Sequence, residues 1–134
     1  MNMTERTSDV TTNDVLIQTS LALTQRNIHT SIAENAADAK QLLIDLIPRN
    51  SEVYVSTSET LDSIGYTEHI SKSNGYKSLN ELVTAEPDLD AQKDVRRRVT
   101  TIADYFVGSV QAISASGEVI IASGSGSQIA AYVY

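Results

Sequence analysis

The sequence predicts an α/β domain with a mixed sheet, and three observations carry that reading. Short β-branched runs at Ile28–Ile32 and Glu52–Ser56 alternate with segments of helical spacing, the pattern of βαβ units around a parallel core. Two further apolar runs, Tyr105–Ile113 and Glu118–Ala122, flank Ser114-Ala115-Ser116-Gly117, a hairpin-type turn, so these two should pair antiparallel. The length of 134 residues points to one domain, and 41% hydrophobic with only 5% aromatic residues means that aliphatic side chains must fill its core.

Residues 1–13 are polar and read as a disordered leader, the folded domain starting at Asp14. Leu16, Ile17, Leu21 and Leu23 predict a helix over Asp14–Arg26, with Asn27 as its left-handed terminator. After the strand at Ile28–Ile32, Asn35 caps a second helix with Asp38 in a capping-box-like position. Ala36, Ala39, Leu42, Leu43, Leu46 and Ile47 form its buried stripe, and Pro48 ends it. Glu52–Ser56 is the second strand. It leads into a helix capped by the pair Ser56 and Glu59 and closed by Gly65. Tyr66–Asn80 gives little signal beyond a surface turn at Ser71–Gly75, and Leu79–Leu82 reads as a helical turn. Asp90 is the expected cap of a long helix with Ala91, Val95, Val99, Ile102 and Ala103 on one face. Lys93, Arg96, Arg97 and Arg98 lie on the other, either a solvated face or an anion clamp. Gly108, inside the run Tyr105–Ile113, marks a bulge or a close approach of backbone.

The composition excludes several chemistries. A net charge of −7 disfavours nonspecific nucleic-acid binding and adhesion to anionic membranes. No cysteine is present, which rules out thiolate metal sites, cysteine nucleophiles and cysteine-ligated iron–sulfur clusters on this chain. His29 and His69 lack metal-ligand spacing, so no metal site is expected. No signal-peptide core or membrane-spanning run is visible, and a soluble, cytoplasmic chain is the expectation.

The C-terminal stretch Glu118–Tyr134 runs from a strand through Ser123-Gly124-Ser125-Gly126-Ser127 into Gln128-Ile129-Ala130-Ala131, a helix start. Strand, glycine loop and helix start can aim backbone N–H groups at an anion. A tight turn without a ligand has the same pattern. A dinucleotide fingerprint does not fit, because Gln128 is followed by Ile129 and no later acidic residue exists for a ribose.

Three stretches together resemble the lactate-utilisation (LUD) domain family, in particular its lactate-utilisation protein C group. They are Ser58-Glu59-Thr60-Leu61-Asp62-Ser63-Ile64-Gly65, the arginine-bearing helix running into Ala103–Ile113, and Gly117-Glu118-Val119 followed by Ser123–Tyr132. Gln111 stands where members often carry Asn, and Ser127-Gln128 where many carry Asn-Arg. Members also continue beyond the position of Tyr134, so the resemblance implies a domain incomplete at its C-terminus. It further implies a three-layer, Rossmann-like fold similar to sugar-phosphate isomerases and CoA transferases, and a role beside iron–sulfur partner proteins in oxidising lactate to pyruvate. Since this chain lacks cysteine, any cluster would sit on those partners.

Ligands of open α/β sheets bind beyond the carboxyl ends of parallel strands. One polar pocket is therefore expected, lined by Thr57, Ser58, Thr60, Gly124, Ser125, Gly126, Ser127 and Gln128, for a small anionic ligand. By family resemblance Arg97 and Arg98 are the cations nearest to it. An independent enzyme acting on a sugar phosphate or a CoA ester is the alternative, with Glu59 and Glu118 as candidate carboxylates. A non-catalytic interaction module or remnant is the third reading. An unpaired sheet edge is expected to favour self-association.

Overall fold

The computed structural model describes residues 12–134. Residues 1–11 of the expected leader lie outside the described residues, while Thr12 and Asn13 already belong to the first helix, α1 (Thr12–Thr24). Asn27 takes the expected left-handed conformation, φ 61°. The stripe expected on α1 is mostly uncovered: Leu23 is buried, whereas Leu16, Ile17 and Leu21 are exposed.

The strand expected at Ile28–Ile32 is absent. This segment pairs with no strand, and Ile28 and Ile32 remain 42% and 47% exposed. Thr30 is tied instead to α1 through the Ser20 hydroxyl. Alternation marks an extended segment but supplies no strand to pair with, and the Ile28 N–H donates to Leu23 O at 3.1 Å instead.

α2 (Ala36–Leu46) forms as expected. The Asn35 side chain accepts from Asp38 N at 3.0 Å, and the Asp38 carboxylate accepts from Glu34 N at 3.0 Å. Ile47, held extended before Pro48, is buried in the core, but of the expected buried stripe Ala36, Leu42 and Leu46 are exposed and Ala39 and Leu43 only half-buried.

β1 (Glu52–Val55) is the central strand of a three-stranded parallel sheet in the order β2-β1-β3. From β1 the chain passes through α3 (Glu59–Ser63) and α4 (Tyr66–Lys72) to β2 (Lys77–Ser78). It then passes through α5 (Asn80–Thr84) and α6 (Leu89–Ile102) to β3 (Tyr105–Val107) on the far side of β1. β2 is too short to leave a periodic signal. Backbone bonds from Lys77 N to Ser51 O (3.0 Å) and Leu79 N to Val53 O (2.9 Å) recruit it. The Asn80 carboxamide then pairs with both the N–H and the C=O of Val55, at 2.9 and 2.8 Å, and extends that edge as a strand residue would.

Two helix caps differ from expectation. Ser58, not Ser56 with Glu59, caps α3, accepting from Leu61 N at 3.2 Å. The chain stays extended through Ser58 after β1, so the cap falls two residues later than the motif suggested. Asp88, not Asp90, caps α6, accepting from Asp90 N and Ala91 N at 2.8 and 3.0 Å. Asp90 sits in the first turn and pairs with Lys93.

The molecule has three layers. On one face of the sheet, Val53, Val55 and Val107 pack with Leu61, Tyr66 and Ile70 and with Leu43, Ile44 and Ile47 of the α2 region. On the other face, Tyr54 and Phe106 pack with Leu79, Val83 and Val99 of the α5–α6 side. The expected run Tyr105–Ile113 is divided. After β3 the backbone leaves the parallel sheet at Gly108, and β4 (Ala112–Ile113) pairs antiparallel with β5 (Val119–Ile120) in a separate two-stranded ribbon. Val119 and Ile120 are exposed, so β5 is not the buried strand its composition suggested. The hairpin turn seats Gly117, φ 85°, directly on Ala22 of α1. α7 (Ile129–Val133) follows the Ser-Gly loop.

Candidate functional site

β1 and β3 run side by side in parallel, so their carboxyl ends meet at one edge of the sheet, with the α3–α4 connection on the Val53–Val55 face and the α5–α6 connection on the Tyr54–Phe106 face. Ligands of open α/β sheets bind beyond such carboxyl ends. Ser56 prolongs β1, its N–H donating to Val107 O at 2.8 Å. Ser56 and Ser58 are both buried, and Thr57 between them is exposed. Side chains alternate along an extended segment, so Ser56 falls on the Tyr54–Phe106 face and Ser109 on the Val107 face.

Hydrogen bonds join these hydroxyls across the sheet edge. Ser58 Oγ donates to Ser109 Oγ at 2.9 Å. Ser56 Oγ donates to Gln128 Oε1 at 3.1 Å. The Tyr132 hydroxyl donates to Ser109 O at 2.8 Å, and its ring stands edge-on to Phe106 with centroids 4.8 Å apart. Burial raises the Tyr132 phenol above its ordinary pKa, and hydrogen bonding with Ser56 partly offsets that. Gly108 is required here by close approach: a Cβ at this position would lie 2.3 Å from the Tyr132 hydroxyl.

The Ser-Gly loop is held from the other side. Thr100 Oγ1 on α6 donates to Ser127 O at 3.0 Å, Gly126 N donates to Ser123 Oγ at 3.1 Å, and the Ser125 and Ser127 hydroxyls lie 2.8 Å apart. Ser127 is buried, Gln128 is half-buried, and Gly124, Ser125 and Gly126 are exposed. Nothing lies within 4 Å of where a Cβ on Gly124 or Gly126 would be, and Gly126 has φ 69°. The glycine loop does not follow a strand of the parallel sheet, since β5 belongs to the hairpin ribbon. The two predicted loops touch nonetheless, because α7 folds back against β3 and Gln128 reaches Ser56.

Carboxylates stand away from this cluster. Glu59 is exposed in the first turn of α3. Glu118 lies in the hairpin, accepting from Ser114 and Ser116 and pairing with Arg26 at 3.4 Å. Hydrogen bonds from Ser114 and Ser116 lower its pKa to about 2. Arg97 and Arg98 are exposed, and Arg97 pairs with Asp94 at 3.3 Å. Arg97 is one turn from Thr100, whereas Arg98 projects roughly 200° around the helix from it, given ~3.6 residues per turn. Among the described residues no His, Asp and Glu are grouped so as to hold a metal ion, and no helix is long and apolar enough to cross a membrane.

Beside the hydroxyl cluster, on the Val107 face, lies a groove of about 660 Å³ between α2 and α3. Leu42, Leu43 and Leu46 of α2 and Leu61 and Ile64 of α3 form its walls, with Val107, Gly108 and Ser109 beneath. Thr60 lines it, and the other seven residues of the expected pocket do not. Ser109, Tyr132, Asn80 and Thr100 are not among the expected pocket residues, although Ser109 and Tyr132 fall within the stretches that carry the family resemblance. Ser109 follows Gly108, so the glycine was the available signal for it, while Tyr132 and Thr100 join the site only through the tertiary fold.

A chemically neutral edge of hydroxyls and amides thus stands at the carboxyl ends of two parallel strands of an α/β domain. The chain belongs to the LUD domain family, whose model matches residues 16–134. Comparisons with curated proteins and with solved structures give no match.

Proposed function

We propose that this chain is an accessory component of lactate utilisation or a related organic-acid metabolism, and that it binds a small organic anion at the β1–β3 edge. Membership in the LUD domain family supports the metabolic setting. The observation that carries the site is the Ser56–Gln128 hydrogen bond, which brings the hydroxyl-rich loop after β1 against the glycine loop before α7. Thr57 and Thr60, on either side of Ser58, and Gly124, Ser125 and Gln128 across from them supply hydroxyl, amide and backbone donors to a carboxylate, while Ser58, Gly126 and Ser127 hold the two loops in shape. Arg97, one turn from Thr100, adds positive potential more readily than Arg98. In this reading electrons from lactate pass to iron–sulfur partner proteins in the cytoplasm, because the chain has no cysteine to hold a cluster. An independent enzyme acting on a sugar phosphate or a CoA ester is disfavoured, since Glu59 is exposed on α3 and Glu118 is held in the hairpin. β3, at the edge of the parallel sheet, is the surface on which self-association would occur. Growth on lactate after deletion of the gene, with the rest of its locus intact, tests the metabolic role. Loss of growth, restored by the wild-type chain, is the expected result, and unimpaired growth would remove the assignment.

A further inference from the structure

The groove beside the hydroxyl cluster is too large and too apolar for a three-carbon acid. Its volume is about 660 Å³, within the ~300–1,000 Å³ of ordinary ligand pockets. A molecule the size of lactate fills on the order of 100 Å³, taking ~30 Å³ for each water it replaces. The groove has a direction. Thr60 and Ser109 follow the carboxyl ends of β1 and β3, whereas Leu46 ends the helix that leads to the amino end of β1. Thr60 and Ser109 thus stand at one end, the aliphatic side chains of α2 and α3 run away from them, and His29, Ser31 and Ala33 of the extended segment before α2 complete the lining. Asp45, the carboxylate in the lining, is near the far end and accepts from Gln41 at 2.8 Å. It opposes placing the acid there. The polar end is continuous with the candidate site, because Ser109 both lines the groove and accepts from Ser58.

We propose that this groove receives the aliphatic chain of an organic acid longer than lactate, with the oxygens of its head held at Thr60 and Ser109. The proposal rests on the reading of the β1–β3 edge as an organic-acid site and names the substrate class for it. Each methylene moved from water into the groove contributes ~0.8 kcal/mol, about a fourfold gain in affinity.

The test is calorimetric titration of the full chain with straight-chain 2-hydroxy acids from lactate upward, and with neutral alkanols of matching length. The expected result is affinity rising about fourfold per methylene until the groove is filled. Ala39→Phe, which puts a ring into the groove from α2, should flatten the series. Leu42→Asp, at the partly exposed wall, should do the same if the first variant does not fold by circular dichroism. Thr60→Val should weaken every acid alike and leave the slope with length. Acids that bind with no dependence on length would overturn this proposal and leave the organic-acid site standing. Alkanols that bind while no acid does would overturn the acid reading of both sites, as would the absence of any binding.

Discussion

Replacing Gly108 by alanine tests the packing that joins α7 to the sheet. The added Cβ would lie 2.3 Å from the Tyr132 hydroxyl and 3.1 Å from the ring carbon bearing it. Tyr132 has little freedom to yield, because its ring is set edge-on against Phe106 and its hydroxyl is bonded to Ser109 O. Overpacking of this kind costs about 1–3 kcal/mol, and a displaced hydroxyl forfeits a further ~1 kcal/mol of hydrogen bonding. Against that, alanine restricts the unfolded chain and returns ~0.4–1 kcal/mol. The net expectation is a loss of about 1–3 kcal/mol. Urea unfolding of the purified chain measures it, with the slope compared so that a change in midpoint is read as stability. Tyr132→Phe alone should cost ~1 kcal/mol, and the double variant should cost less than the sum of the two, since the closest clashing atom is gone. An alanine variant as stable as the wild type, or strict additivity in the cycle, would refute the contact on which the position of α7 depends.

Four further outcomes are expected. Tyr66→Phe should be neutral or stabilising by up to about 1 kcal/mol in urea melts, because the buried Tyr66 hydroxyl has no partner among the described residues; its burial, followed by repulsion from Tyr76, pushes the phenol up to about 12. Glu118 is depressed to about 2 from 4.5, so its contribution to stability is full above the unfolded value and is lost as pH falls toward about 2. The Glu118→Gln variant should show a shallower acid limb over that window, and a carboxyl midpoint near the ordinary value in an NMR titration would contradict the Ser114–Ser116 cradle. Gly126→Ala should destabilise by ~1–2 kcal/mol through its left-handed backbone, whereas Gly124→Ala should leave the melt unchanged and weaken anion binding; wild-type affinity in Gly124→Ala would move the ligand off this loop. Arg97→Gln should weaken anion binding more than Arg98→Gln, and equal or absent effects would return both to the solvated face of α6.

The α/β class was legible because Glu52–Ser56 and the helices around it carry clear periodicity and punctuation. Asn27, Asn35 and Pro48 set backbone geometry locally, so their roles could be read directly. What failed depended on neighbours. Ile28–Ile32 has a strand's pattern and no partner, while Lys77–Ser78 has no pattern and gains its partner from Ser51 and Val53. The caps of α3 and α6 moved by two residues because Asp88 and Ser58 lie where the extended chain turns, a matter of backbone path that residue type alone does not settle. At the site, both predicted loops could be named from their hydroxyls and glycines. Ser56 and Gln128 lie 72 residues apart in sequence, and their meeting depends on α7 returning to β3, which no local signal encodes. The apolar groove was likewise hidden, since Leu42, Leu43 and Leu61 read as ordinary core.

The most direct test is an amide NMR titration of the chain with lactate and with a longer 2-hydroxy acid, following every resolved backbone resonance. The account predicts that shifts concentrate at Ser56–Thr60, Ser109 and Gly124–Gln128 for both ligands, and that the longer acid adds shifts at Leu42, Leu43 and Ile64. Shifts confined to other surfaces, or an unchanged spectrum at saturating acid, would contradict the assignment of the β1–β3 edge as the binding site.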